Sequence, residues 1–201
     1  MEHQKYLITG CGRSGTGFYS NLLKHNGISC GHESYINYKG INKHNFVAES
    51  SWLAVPFITQ LNKNIAICRT IREPISLIKS WHQLSILTDK KPPYTKFIFH
   101  HLPEIQKHTE LNAITMYYIE WNKMFDKLSK NYNCISYQLD SIVNQDKIIF
   151  FNETFINPKK VINTKSHHKL TLNKNINDII NEQVDKDLLD EAFFYYKNYS
   201  I

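Results

Sequence analysis

The chain has few cysteines, no motif of paired metal ligands and no long apolar run. Its four cysteines lie far apart and outside any CxxC pair: Cys11, Cys30, Cys68 and Cys134. We expect reduced, mostly buried thiols. The histidine pairs at 100–101 and 167–168 are adjacent, so their rings would point apart, and we expect no structural metal. No apolar run approaches the roughly 20 residues of a membrane-spanning helix, so we expect a soluble, cytoplasmic protein.

The composition is that of a globular protein with an excess of positive charge. Hydrophobic residues make up 42% and aromatic residues 13% of the 201 residues, enough to bury a good core, and we expect a single domain over residues 1–201. The formal net charge of +6 suggests an anionic partner. The lysines form no basic block, so an anionic nucleotide explains the charge as well as nucleic acid does, and we do not expect nucleic-acid binding.

Glycine is scarce, and four of the seven glycines lie in one short stretch, residues 10–17. The apolar run Tyr6–Thr9 precedes this stretch, and apolar residues at helical spacing follow it as far as about His25. This order predicts a strand, a phosphate-binding loop and a helix. Glycines let the backbone turn sharply, so that successive N–H groups and the positive end of the helix face one anion.

The loop lacks the lysine of nucleotide-hydrolysing P-loops. Those loops have the pattern GxxxxGK[ST], whereas Gly15 is followed here by Thr16 and Gly17. A cation, Arg13, lies inside the loop instead, directly before Ser14. The segment resembles the 5′-phosphosulfate-binding loop of the PAPS-dependent sulfotransferases, in which Lys or Arg precedes the sequence SGT. The resemblance implies that these residues bind PAPS (3′-phosphoadenosine 5′-phosphosulfate): Gly12, Arg13, Ser14, Gly15, Thr16 and Gly17.

A second motif follows a nearly continuous apolar run, residues 65–68, which predicts a buried parallel strand. Pro74 suits the first turn of the next helix. Arg72 and Ser80 are eight residues apart, so an arginine at the strand end and a serine two helical turns later can hold one phosphate from two directions. The spacing RxPxxxxxS resembles the 3′-phosphate-binding motif of the same family, which implies that Arg72 and Ser80 bind the 3′-phosphate of PAPS.

The candidate catalytic residues are Glu33, His32 and Arg13. A short strand over residues 28–30 is expected to carry His32 and Glu33 to the edge of the sheet where ligands of open α/β folds lie. Several sulfotransferase groups have a glutamate at this place, so the resemblance implies that Glu33 is the general base and His32 a supporting or acceptor-orienting group. Adjacent residues of an extended strand point to opposite faces, so we expect only one of the two to face the crevice. Arg13 would balance charge that develops on the leaving phosphate.

The order of elements favours an α/β fold of the three-layer P-loop type, with a mainly parallel central sheet flanked by helices. We expect these further elements: a loop near the acceptor site at 34–45, a strand at 46–49, a helix from Ser50 or Ser51 to about Leu61, a turn-rich segment at the acceptor mouth at 90–94, a helix at 111–131, a strand at 133–137, partly helical structure at 142–155, a basic loop at 159–172 and one long helix at 176–199.

The resemblance implies a sulfotransferase that moves a sulfuryl group from PAPS to a hydroxyl or amine group, and we expect a carbohydrate or glycolipid acceptor. Two alternatives remain open. A small-molecule kinase would need the GK[ST] loop and a metal-binding aspartate after a strand. A non-catalytic protein that binds a nucleotide or an anionic glycan would bind the cofactor and turn over no acceptor.

Overall fold

A computed structural model describes residues 5–87, 92–150, 152–158 and 175–199. The strands are β1 (Tyr6–Gly10), β2 (Cys30–His32), β3 (Ile36–Asn37), β4 (Gly40–Ile41), β5 (Ala48–Ser50), β6 (Ala66–Ile71), β7 (Asn133–Gln138), β8 (Lys147–Phe150) and β9 (Glu153–Ile156). The α-helices are α1 (Thr16–His25), α2 (Pro74–Leu84), α3 (Pro92–His101), α4 (Glu110–Ser129), α5 (Leu139–Ile142), α6 (Ile176–Gln183) and α7 (Lys186–Asn198). Two further segments form 3₁₀ helices, Trp52–Gln60 and Pro103–Lys107.

Five parallel strands form the central sheet, in the order β2-β5-β1-β6-β7. β1 lies in the middle of the sheet and is buried along its whole length. Its side chains alternate between two hydrophobic clusters, because Leu7 packs into one of them and Tyr6 and Ile8 pack into the other. Helices cover both faces of the sheet, which confirms the predicted three-layer α/β fold.

The two faces of the sheet bury different helices. Leu22 of α1 packs with Cys68 on one face, next to the hairpin formed by β8 and β9. Trp81 of α2 and Ile114 of α4 pack on the other face. Buried residues of α4 recur at intervals of three and four, as predicted, and this helix runs along the sheet for 20 residues.

The prediction of partly helical structure at 142–155 is wrong beyond α5. β8 and β9 pair there as an antiparallel hairpin, and Asn152 at its turn has a left-handed backbone, with φ at 63°. Ile148 and Phe155 point inward and are buried against the α1 face, whereas residues that alternate with them are exposed. Alternation of this kind is the pattern of a half-buried strand.

The single C-terminal helix predicted over residues 176–199 is in fact two helices. α6 ends before Val184, whose backbone is extended and whose side chain is buried. Asp185 then accepts a hydrogen bond from the backbone N–H of Asp187 at 2.9 Å and caps the start of α7. The cap interrupts an apolar periodicity that otherwise continues from one helix into the next.

Several smaller predictions are adjusted by the structure. β2 begins at Cys30, and β5 lies between it and β1. The expected loop at 34–45 contains the short β3–β4 hairpin, and the segment after Ser51 is a 3₁₀ helix that contains Pro56. The basic loop predicted at 159–172 lies outside the described residues. In the described part of the chain, no helix is both long and apolar enough to cross a membrane.

A buried arginine ties the C-terminal end of the described chain to the sheet. Arg69 of β6 donates to Asp126 of α4 at 2.7 Å and to Ser136 of β7 at 3.0 Å. The Tyr199 ring lies 3.6 Å from the guanidinium carbon, and its hydroxyl donates to Asp126 at 2.6 Å. One guanidinium group therefore joins two strands, a helix and the residue that follows α7.

Replacing Asp126 with alanine should destabilise the fold. The buried guanidinium of Arg69 and the hydroxyl of Tyr199 would each lose an acceptor, so we expect the free energy of unfolding to fall by about 2 to 3 kcal/mol in urea denaturation. Glu120→Ala is the matched control, because it breaks an exposed ion pair with Lys123 on the same helix, and it should cost less than about 1 kcal/mol. Equal losses in the two variants would contradict the role given to Arg69.

Candidate functional site

The glycine-rich loop lies at the carboxyl end of β1, and hydrogen bonds from several neighbouring elements hold it in place. The N–H of Gly12 donates to the Tyr117 hydroxyl at 2.8 Å, and its carbonyl accepts from the indole N–H of Trp81 at 2.7 Å. The buried hydroxyl of Ser14 donates within the loop, and the Ser14 carbonyl accepts from the hydroxyl of Thr70. Contacts with α2, α4 and β6 therefore hold the shape of the loop.

Two loop residues adopt left-handed backbone conformations, Arg13 with φ at 69° and Gly15 with φ at 106°. A Cβ added to Gly15 would lie 2.7 Å from a methyl carbon of Leu139. The backbone conformation of this position therefore favours glycine, and a Cβ there would also require the Leu139 side chain to shift. Arg13, in the middle of the loop, remains partly exposed to solvent.

The N-termini of α1 and α2 differ in how their N–H groups are satisfied. α1 follows Gly15, and it has no side-chain cap and no acidic residue in its first turn. The Glu73 carboxylate caps α2, because it accepts from the N–H groups of Ile75 at 3.1 Å and Ser76 at 2.6 Å. The positive end of α1 is therefore open to an anion, whereas that of α2 is already neutralised.

The two sequence motifs meet at this open end. Arg13 Nε donates to Ser80 Oγ at 2.9 Å, and Arg72 Nη1 donates to the Arg13 carbonyl at 3.1 Å. Arg72 Nε is buried and has no hydrogen-bond partner among the described residues. Partial burial lowers the pKa of Arg13, and the charge of Arg72 lowers it further, while Glu33 acts in the opposite direction. In the described chain, no carboxylate forms a salt bridge with either arginine.

A cavity of about 430 Å³ opens beside these arginines, and we call it the arginine cavity. It is lined by Arg13, Gly15, Phe18, Arg72, Leu139, Asp140, Val143 and Asn144. The last four residues belong to α5 or follow it directly. They were missed in the sequence because they match no motif, although their place after β7 puts them at the carboxyl edge of the sheet, where ligands of α/β folds bind.

A second cavity, of about 150 Å³, lies on the other side of Arg13, and we call it the aromatic cavity. It is lined by Gly12, Arg13, Glu33, Trp52, Trp81, Leu84, Ile86 and Tyr94. Trp52 and Trp81 meet edge to face, with ring centroids 5.7 Å apart. Trp52 is therefore a buried residue of the cavity wall. Arg13 is common to the two sets of lining residues and stands between the cavities.

Glu33 faces the aromatic cavity from the end of β2. Its backbone leaves the extended conformation, with φ at 54°, and its N–H donates to the Ser50 carbonyl at 3.1 Å. Burial raises the pKa of its carboxyl group, while a hydrogen bond with the Trp52 side chain and the charge of Arg13 lower it. Desolvation is the largest of these effects, so Glu33 is a stronger base than an exposed glutamate.

His32 and Glu33 do not point to opposite faces, so the alternation of an extended strand, on which the prediction was based, does not hold here. His32 Nε2 lies 3.9 Å from Glu33 Oε1 and 3.4 Å from Thr16 Oγ1. The left-handed turn at Glu33 breaks the alternation of the strand and brings both side chains to one edge. Burial lowers the pKa of His32, and the charge of Lys24 adds to this effect. Only Glu33 of this pair belongs to the described lining of the aromatic cavity.

The remaining loop residues lie around this site without lining the arginine cavity. The Ser14 hydroxyl points into the loop, and Thr16 is buried beside His32. Gly17 lies in the first turn of α1, where an added Cβ would be 3.7 Å from the His32 ring. The expected contacts of Ser14, Thr16 and Gly17 with a bound nucleotide therefore stay predictions.

No protein-family model matches the chain, and no curated protein is similar enough to it to count as a match. Any inference about the function of this protein therefore rests on its own residues and their arrangement. The geometry gives them a clear arrangement: a cationic cavity and a small aromatic cavity with a carboxylate, separated by Arg13.

Substitution of Gly12 should disturb the loop, whereas substitution of Gly17 should not. A Cβ on Gly12 would lie 2.4 Å from Trp81 Cζ2, so Gly12→Ala must displace a buried indole and should lower the free energy of unfolding by about 1 to 3 kcal/mol. Gly17→Ala meets only ordinary contacts within a helix and should be neutral or stabilising by up to about 1 kcal/mol. Chemical denaturation with near-UV circular dichroism measures both effects. A Gly12→Ala variant as stable as Gly17→Ala would show that Trp81 does not confine the loop.

Proposed function

We propose that this protein is a sulfotransferase that uses PAPS as its donor and a hydroxyl or amine group as its acceptor. One observation carries the proposal: Arg13 of the loop and Ser80 of the second motif, 67 positions apart, share a hydrogen bond of 2.9 Å, with Arg72 beside them. These residues form one cationic site at the uncapped end of α1. A nucleotide with phosphate groups at both its 5′ and 3′ positions suits such a site.

The arginine cavity has features that PAPS would need. The buried Arg72 Nε would gain a partner from an oxygen of the 3′-phosphate. Ser80 is not part of the described lining, but it accepts a hydrogen bond from Arg13, and its hydroxyl would be a second donor to the phosphate. The N–H groups at the start of α1 would hold the 5′-phosphate. Leu139 and Val143 offer apolar surface to a base, and Asn144 offers polar groups. The volume of about 430 Å³ lies in the usual range of ligand sites.

When bound, PAPS would supply the sulfuryl group: a bond from the acceptor oxygen to sulfur forms as the bond from sulfur to the 5′-phosphate oxygen breaks, and the electron pair leaves with the phosphate. Glu33 would accept the proton of the acceptor hydroxyl, for which its raised pKa suits it. Arg13 would balance negative charge on the phosphate, because it stands between the two cavities. Trp81 and Tyr117 hold the loop that carries Arg13, so its position is preorganised.

The aromatic cavity would receive the acceptor. A volume of about 150 Å³ admits about one six-membered ring, with Glu33 and Arg13 at the reacting end. Trp52, Trp81 and Tyr94 offer aromatic surface to such a ring, which supports an acceptor hydroxyl carried on a sugar or another ring. We propose a carbohydrate or glycolipid as the acceptor. Turnover screens should compare such acceptors with phenols and tyrosine peptides.

The two alternatives make different demands on the site. A kinase of the P-loop class would use a loop lysine directly after Gly15, but Thr16 stands at that position, and Gly17 takes the place of the Ser or Thr that follows it. A non-catalytic binding protein would need the arginine cavity but would give no role to a desolvated carboxylate in the second cavity. The position of Glu33 therefore favours an enzyme.

Binding should depend on the 3′-phosphate through Arg72. Calorimetry should show 3′,5′-ADP binding far more tightly than 5′-AMP, and Arg72→Ala should remove most of that difference, about 2 to 4 kcal/mol, because a charged partner of the phosphate is lost. Lys79→Ala removes a cation of α2, the helix that follows Arg72; Lys79 lies outside the described lining of both cavities, so this variant should leave the difference unchanged.

Equal affinity of the native protein for 3′,5′-ADP and 5′-AMP would contradict the assignment of the 3′-phosphate site. Tighter binding of ATP with Mg²⁺ than of 3′,5′-ADP would favour the kinase.

Glu33→Gln should lower turnover with PAPS by about 10² to 10⁴, the usual contribution of a general base, and leave the affinity for 3′,5′-ADP almost unchanged. His32→Ala should cost less and act mainly on the KM of the acceptor. Because the pKa of Glu33 is raised, wild-type turnover should decline on acidification at a higher pH than the ordinary 4.5 of a glutamate.

Turnover is measured with labelled PAPS over a panel of sugars, lipids, phenols and tyrosine peptides. An inactive His32→Ala with a nearly normal Glu33→Gln would reverse the two roles. Binding of 3′,5′-ADP without turnover of any acceptor would favour the binding protein instead.

A further inference from the structure

Glu49 is a buried carboxylate of the central sheet. Its strand, β5, lies between β1, which leads to the glycine-rich loop, and β2, which leads to Glu33. Glu49 lies opposite Leu7 of β1 and Gly31 of β2, and its side chain is fully buried. No basic side chain of the described residues forms a salt bridge with it. A buried carboxylate is costly unless its oxygens are bound, so its hydrogen bonds indicate what it holds in place.

One oxygen of Glu49 binds the turn that follows Glu33. Oε1 accepts hydrogen bonds from three consecutive backbone N–H groups: Ser34 at 2.9 Å, Tyr35 at 3.2 Å and Ile36 at 3.3 Å. The next residue of β5, Ser50, accepts from the N–H of Glu33 at 3.1 Å. Two adjacent residues of one buried strand therefore bind four consecutive N–H groups, and the left-handed Glu33 is the first residue of that set.

The second oxygen of Glu49 is left without a partner. Oε2 is buried and accepts no hydrogen bond from the described residues. A Cβ added to Gly31 would lie 1.9 Å from this oxygen, so a glycine is needed there for the carboxylate to reach the turn. A half-satisfied buried carboxylate costs stability, which points to a role beyond support of the fold.

We propose that Glu49 is a positioning residue for Glu33: its carboxylate fixes the turn at residues 33–36 and so holds the Glu33 side chain in the aromatic cavity beside Arg13. The proposal rests on the proposed function, since that function makes Glu33 the base. β2 is an edge strand of three residues, so its own pairing holds the end of the strand weakly. The bonds from β5 supply the missing constraint.

Burial has the largest effect on the titration of Glu49. It raises the pKa of this carboxyl group to about 7, and the charge of Glu33 also raises it, while the three hydrogen bonds from the turn lower it. Among the groups near Glu49, the thiol of Cys30 stays neutral near pH 7, because burial raises its pKa to about 12, although the charge of Lys24 lowers it.

The direction of this shift predicts how stability depends on pH. The pKa of Glu49 in the folded protein lies above its ordinary value of 4.5, so folding favours the protonated carboxyl group. Its contribution to stability is fully present below about pH 4.5 and is lost as the pH rises through about 7. Near neutral pH the ionised fraction of Glu49 therefore lowers stability.

Glu49→Gln and Glu49→Ala test the proposal against the wild-type protein, with Glu110→Gln as a control. Glu110 also has one buried oxygen without a partner, but it lies on α4, pairs with His82 and belongs to the described lining of neither cavity. Three quantities are measured: the NMR titration of the Glu33 carboxyl group, the hydrogen exchange of amides 34–36, and turnover with PAPS.

Glu49→Gln removes the charge and keeps an oxygen that can accept from the turn. The exchange of amides 34–36 and the titration of Glu33 should then stay close to those of the wild-type protein. Glu49→Ala removes the acceptor, so amides 34–36 should exchange faster and turnover should fall by about 10²-fold, the effect of misplacing a catalytic group by about 1 Å. Affinity for 3′,5′-ADP should stay unchanged, and Glu110→Gln should alter none of these quantities.

Glu49→Ala should also lower the raised pKa of Glu33 toward its ordinary value, because the released turn exposes the carboxyl group. Unchanged exchange of amides 34–36, or an unchanged titration of Glu33, in Glu49→Ala would overturn the positioning role. If Glu49→Ala does not fold, Glu49→Asp takes its place, because the shorter side chain withdraws the carboxylate from the turn. Exchange and titration need neither PAPS nor an acceptor. A wild-type protein without turnover would therefore contradict the proposed function, while these two measurements still decide the role of Glu49.

Discussion

The backbone of Gly12 is hydrogen-bonded through both its N–H and its carbonyl group, and the rest of the site depends on this constraint. Trp81 binds its carbonyl and Tyr117 binds its N–H, so the loop cannot move without breaking two buried hydrogen bonds. Ser80 precedes Trp81 in α2 and binds Arg13. Two consecutive residues of one helix therefore hold two consecutive residues of the loop. The segment around Ser80 therefore fixes the shape of the glycine-rich loop through direct contacts.

Charged groups are distributed unevenly around this loop. Arg13, Arg72 and the open end of α1 lie at the arginine cavity, where Asp140 is the acidic residue of the described lining and accepts from the N–H of Glu73 at 2.9 Å. Two further carboxylates lie at the aromatic cavity: Glu33 in its lining and Glu49 beneath the turn that follows Glu33. Arg13 stands at the boundary and feels charges of both signs. Such an arrangement brings an anionic ligand to one cavity and a basic group to the next.

The elements that were predicted correctly have strong local patterns. α4 buries residues at helical spacing, and the run that ends in β6 is apolar because the strand is covered on both faces. The hairpin at 147–156 and the break at Val184 were predicted wrongly because their apolar residues also fit a helix. Packing decided between the two periods, since only alternate residues of the hairpin meet the α1 face.

By itself, the sequence determined the chemistry that the chain offers: a loop without a P-loop lysine, an arginine within it, and an arginine and a serine at a spacing that suits one phosphate. These are local properties, set by backbone conformation and helical repeat. Only the tertiary structure decided that Arg13 meets Ser80, that Glu33 turns into an aromatic cavity, and that Glu49 lies beneath that turn. The reason is the strand order β2-β5-β1-β6, which brings distant segments to one edge and follows from packing of the whole sheet rather than from any spacing along the chain.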